Sequence, residues 1–203
     1  GVLNLRGLVS ADQAARDKFD VDFEYVSSQL SDARTAVREI NELWNTHAAK
    51  IASGEIVRRQ GPMTRIEESI DRELGKTAEN FLNAAVRCLK QGMQRLISGL
   101  GVEIGFLFQR QNAFDEAIAL LQAKDPLLAD YLKEVRPWSE SLVKARNAIE
   151  HDGWRLPRVL YDGSGARVVA AEPLIGDRPV TKFANDSFDR VCCFVEEITA
   201  HAI

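Results

Sequence analysis

The chain has 203 residues, is 45% hydrophobic and 28% charged, and carries a formal net charge of -4 at neutral pH. That size and composition suit one globular domain with a sizeable core and exclude a disordered or fibrous chain. The acidic balance also excludes a protein that coats nucleic acid nonspecifically, which needs a strongly cationic surface, while leaving room for a local phosphate site.

In chain order, Phe23, Val26, Leu30, Ala33, Val37, Ile40, Trp44, His47 and Ile51 step alternately by three and four, which predicts one long helix packing along a seam. His47 falls on that seam and reads as an interior polar residue that sets register. Breakers follow from Ser53-Gly54 to Gly61-Pro62. A second long helix is expected from Thr64 to Ile97, with Ile66, Ile70, Leu74, Phe81, Leu82, Ala85, Leu89 and Leu96 inward. The favoured arrangement is an antiparallel pair within the chain, and an intermolecular coiled coil is the alternative. Between these inward positions, Glu67, Glu68 and Asp71 alternate with Arg65 and Arg72 and read as a solvated, salt-bridged face.

The apolar stretch from Leu96 to Phe108 is too short to span a bilayer and contains Glu103. Gly99, Gly101 and Gly105 do not make a phosphate loop, because no strand precedes them and no Lys-Ser/Thr pair follows. A shorter helix is expected from Arg110 to Ala123, and Pro126 opens another through Leu127, Leu128, Tyr131 and Leu132. Past Gly153, the segments 155–161, 167–174 and 178–183 are short, rich in valine and leucine, and separated by turn residues, which predicts a small antiparallel meander. A final helix is expected from Asp186 to His201. The whole reads as a mainly α single domain over 1–203: a helical bundle of about five helices (11–153), the meander (154–184) and a C-terminal helix (185–203).

Cys88 and the adjacent Cys192 and Cys193 suit a reduced compartment, because neighbouring cysteines rarely bridge, and the pair reads as core filling. With no secretion signal visible, a cytoplasmic location is expected. No metal set can be assembled from the histidines and cysteines at a recognised spacing, and no cofactor is expected.

The most informative stretch is Arg146-Asn147-Ala148-Ile149-Glu150-His151. Its helix is expected to start at Pro137, with Ser139 and Glu140 close behind, and to stop at Asp152-Gly153. Trp138, Leu142, Ala145 and Ile149 define its buried stripe, and at roughly 100° per residue Asn147 and His151 project almost opposite it. His151 is therefore expected at the surface or an interface, and Arg146 can pair with Glu150 one turn on. Cleaving a phosphodiester without a metal needs an imidazole that moves a proton near neutral pH and a guanidinium that holds a phosphate through paired donors. Arg136, Lys144, Arg155 and Arg158 add positive charge around the motif. Residues five apart sit about 140° from each other on an ideal helix, so either the helix end distorts or two chains share the site.

Arg146, the polar Asn147 directly after it, and His151 four intervening residues on together resemble the signature of the HEPN family. That resemblance implies a helical bundle of about five helices and a homodimer whose motif helices face each other across one cleft. It implies a metal-independent endoribonuclease acting on RNA, in which His151 is general acid or base, Arg146 stabilises charge on the phosphate, and Asn147 orients phosphate or histidine. Glu150 either tunes His151 or repels substrate. Toxin or phage-defence roles, with an antitoxin or a nucleotidyltransferase as restraining partner, follow from the same resemblance. The alternative is a noncatalytic RNA- or nucleotide-binding or scaffolding protein of the same fold.

Overall fold

The long heptad forms a 41-residue helix, α1 (Gln13–Ser53), in a computed structural model that describes residues 13–61, 63–100, 111–165 and 167–202. Expectations that fall on 1–12 and 101–110, including the glycines at 101 and 105 and most of the apolar stretch to Phe108, lie outside the described residues. The predicted seam is the buried one: Val26, Ala33, Val37, Ile40, His47 and Ile51 are all enclosed. Its cover is α2 (Asp71–Gln91), which buries Leu74, Phe81, Leu82, Ala85 and Leu89. The pair is intramolecular and antiparallel. Asp22, near the start of α1, meets Arg95 just past the end of α2 at 2.9 Å, and the Cys88 thiol reaches Val26 O.

The expected start of the second helix at Thr64 is too early. Val57–Gln60 (β1) and Met63–Ile66 (β2) pair as an antiparallel hairpin, with Val57 opposite Ile66, and Gly61 takes a left-handed φ of 61° at the turn. Ile66 therefore packs with Ile51, Ile56 and Val168 in a small satellite cluster instead of on the main seam.

From α2 the chain passes through a π-helical turn at Gly92–Leu96 and a 3-10 turn at Ile97–Leu100. It then forms α3 (Gln111–Lys124) and α4 (Pro126–His151). α4 corrects the expectation of two helices broken at Pro137. Asp125 caps it by accepting Leu128 N–H at 3.0 Å, Pro126 occupies its first turn, and Pro137 lies inside. An interior proline deletes one backbone bond and crowds the preceding turn. The helix continues because Leu132, Val135, Leu142 and Val143 on both sides of it are buried in the same core.

The tail forms small antiparallel pairs, β3 (Leu160–Asp162) with β4 (Val169–Ala171) and β5 (Leu174–Ile175) with β6 (Arg178–Pro179), before α5 (Val180–Ala202). α5 starts earlier than expected and absorbs most of 178–183, because Glu172 accepts Thr181 N–H at 2.6 Å and Pro173 O accepts Val180 N–H. Of the cysteine pair, Cys192 is half-buried and Cys193 exposed, so only the first contributes to packing. The five α-helices and short strand pairs make a mainly α fold, and among the described residues no helix is long and apolar enough to cross a membrane.

Helix α5 crosses the end of α2 at Gly92. A Cβ built there would lie 2.6 Å from Ile198 Cδ1 and 2.9 Å from Phe194 Cε1, both on fully enclosed side chains. Gly92→Ala is expected to destabilise the protein by about 1–3 kcal/mol through overpacking. Denaturant unfolding would measure it, and a variant as stable as the parent would show that α5 does not approach so closely.

Candidate functional site

The motif occupies the last two turns of α4, where the local sequence both builds the helix and stops it. Leu142 and Ile149 are buried, and Trp138 and Ala145 pack against the same core from partly exposed positions. At the end, Gly153 takes a left-handed φ of 65°, and Trp154 N–H turns back to donate to Ala148 O at 3.0 Å. Trp154 then packs against the core, so the chain folds under the helix and leaves its outer face open.

On that face Arg146 Nη2 reaches Glu150 Oε1, and Nη1 donates to Asn147 Oδ1 at 3.2 Å. The structure thus brings together Arg146, Asn147 and Glu150. His151 is exposed, stands apart from this group, and has no side-chain hydrogen bond among the described residues. The helix end is regular, with Asp152 N–H still bonded to Ala148 O at 3.1 Å, so it does not distort to bring His151 beside Arg146. The guanidinium is partly enclosed and paired: its side chain is only 28% exposed, and an i,i+4 partner holds it. Such a pair contributes a few tenths of a kcal/mol, so a phosphate with two acceptor oxygens can displace Glu150 readily.

The other positive charges near the motif are partly engaged. Lys144 pairs with Glu140, and the Arg136 guanidinium sits 4.3 Å over the Phe114 ring. Arg155 is held by Trp154 O and lines a cleft of about 280 Å³ between the end of α4 and the start of α2, where Arg72 and Lys76 face it. Among the described residues no group of three His, Cys, Asp or Glu side chains is arranged to hold a metal ion.

His47 is a buried residue of the seam, as its place in the heptad suggests. What the sequence does not reveal is its partner, Tyr161 of β3, whose hydroxyl lies 2.8 Å from Nε2. Burial holds the imidazole pKa below its ordinary value, against the opposing pull of Asp71 and Glu68. Burial and then Asp71 push the Tyr161 phenol up. Both rings are therefore neutral near neutral pH. Nor does the sequence reveal the cavity beside His47, because its carboxylates are scattered over α1 and the entrance to α2 and each, taken alone, looks like a solvated surface charge. Compared with known proteins, the chain matches no family model, no curated protein and no solved structure.

The His47 environment makes stability depend on pH in a defined direction. The unfolded chain takes up a proton near the ordinary histidine value of 6.5 while the folded ring resists it. Stability should therefore fall as pH drops below that value and level off once the folded ring is protonated. His47→Gln keeps a hydrogen-bonding side chain but does not titrate. Its melting temperature should fall less than that of the parent between neutral pH and about pH 5, and superimposable profiles would remove His47 from the account.

Proposed function

We propose that the protein is a metal-independent endoribonuclease of HEPN type, acting in the cytoplasm as a homodimer that shares one active site. The observation that carries this reading is an exposed His151 at the end of α4, without a hydrogen-bond partner among the described residues, just over one turn beyond an arginine held by Glu150 and Asn147. Within one chain Arg146 and His151 point about 140° apart. A second copy with its α4 end facing the first would bring one chain's imidazole to the other's guanidinium.

In that arrangement one His151 takes the proton from a ribose 2′-OH, and the freed oxygen attacks the adjacent phosphorus. The phosphorus to 5′-oxygen bond breaks, and the second His151 returns a proton to the leaving oxygen, giving a 2′,3′-cyclic phosphate and a 5′-hydroxyl. Arg146 leaves Glu150 for the phosphate as charge builds there, and Asn147 accepts from or donates to whichever group it then faces. Glu150, released, either repels misplaced substrate or orients the imidazole. An antitoxin or a nucleotidyltransferase that covers the α4 end would restrain the activity.

A second reading, noncatalytic binding of RNA or nucleotide, is favoured by one feature: Arg146 is already occupied by Glu150, and among the described residues His151 makes no side-chain hydrogen bond or ion pair with either.

The test is incubation of the purified protein with a mixed RNA pool in excess EDTA, beside His151→Ala and Arg146→Ala, with analysis of fragment ends. Cleavage leaving 2′,3′-cyclic phosphate, reduced about a hundredfold or more in each variant, is expected. A folded parent protein that cleaves no RNA, or that loses activity in EDTA, would sink the proposal, and salt-sensitive RNA binding without turnover would establish the second reading.

A further inference from the structure

Between the C-terminal half of α1 and the segment entering α2 lies a cavity of about 520 Å³ that takes no part in the chemistry proposed for α4. Leu43 and Ile70 give it an apolar wall. Two nearly enclosed polar side chains also line it: Thr77 is 7% exposed and His47 2%. A threonine inside a helix commonly bonds back to the carbonyl one turn earlier. The Thr77 hydroxyl does not, and it has no hydrogen-bond partner among the described residues. His47 Nδ1 also lacks a partner, its other nitrogen being taken by Tyr161, but it is closed off from the cavity. Thr77 is nine-tenths buried, yet its hydroxyl is not closed off from the cavity it lines, so an occupant there would supply the partner it lacks.

The rim specifies the charge of that occupant. Glu39, Glu42, Glu68 and Glu73 surround the opening against a single cation, Lys50. Lys50 Nζ already sits 2.7 Å from Glu68 Oε2, so one end of the cavity holds a primary ammonium supplied by the chain itself. Glu39, Glu42 and Glu73 make no ion pair among the described residues. These carboxylates are not gathered tightly enough to hold a metal ion, so they suit several separated positive centres better than one divalent ion.

We propose that this cavity binds an aliphatic oligoamine. Its methylene chain lies along Leu43 and Ile70, and its ammonium groups reach Glu39, Glu42 and Glu73 as Lys50 reaches Glu68. One N–H donates to Thr77 Oγ1. Spread carboxylates give preference for a chain with two or more ammonium groups over a single amine, and the buried hydroxyl distinguishes a seated ligand from a loose counter-ion cloud.

Calorimetric titration of the full chain with spermidine at neutral pH and low salt tests this, with n-butylamine and magnesium ion as comparisons. Saturable binding at one site is expected, weakened about tenfold or more by the paired substitution Glu39→Gln with Glu73→Gln, and several-fold by the near-isosteric Thr77→Val. The glutamates are exposed, so the paired variant should fold normally, as circular dichroism would verify. Absence of saturable binding at millimolar spermidine would overturn the proposal, as would equal affinity for n-butylamine or magnesium. Weakening by the glutamate substitutions but not by Thr77→Val would reduce the effect to surface charge attraction and also overturn it.

Discussion

Everything else in this fold depends on the register of α1 against α2. A 41-residue helix with a continuous apolar stripe is unstable alone in water and must find a cover along its length. α2 provides it, and buried alanines at 33 and 36 on one helix and 78, 84 and 85 on the other let the two backbones approach closely. Polar contacts then select the register within that apolar contact. Asp22, only 6% exposed, is matched by Lys18 at 2.6 Å and Arg95 at 2.9 Å. A slip of one turn would leave that carboxylate buried without its partner across the seam, which costs far more than the pair itself contributes.

That register determines where the entrance to α2 lies, and Asp71 passes the information on. Its carboxylate accepts Val159 N–H at 2.8 Å and the Ser69 hydroxyl at 3.0 Å, so the segment following the motif is tied to the first turn of α2. Two residues later Tyr161 supplies the hydrogen bond of His47, 114 positions away in the chain. The seam histidine is thus tolerated because the strand region returns to satisfy one of its nitrogens. The same tie draws residues 154–159 beneath the end of α4, leaving Arg146, Glu150 and His151 on an uncovered surface.

The two candidate sites use charge in opposite ways. On α4 a guanidinium is kept in place by a weak, displaceable carboxylate, which suits an anion that arrives with better geometry. Beside His47 the carboxylates are in excess, and the one ammonium present is already engaged. They lie on different faces of the molecule's elements, one at the outer surface of α4 and the other between α1 and α2, so ligands at the two sites would not compete for the same side chains.

What the sequence by itself determined was the set of features that a single helix face carries. These include the three-and-four spacing from Phe23 to Ile51, the buried stripe of Leu142 and Ile149 that leaves His151 outside, the stop at Gly153, and the Arg146–Glu150 pair. Each depends on residues within a few turns of one another, so periodicity is enough to read it. Tertiary structure alone decided the rest. Val57 and Ile66 pair in a hairpin whose partly buried ends pack on Ile51, Ile56 and Val168, and Pro137 stayed inside a helix because the core on both sides outweighed one lost backbone bond. The cavity holding His47 and Thr77 exists only where α1 meets the entrance to α2. Such features arise from contacts between residues far apart in the chain, whose energies no local pattern records.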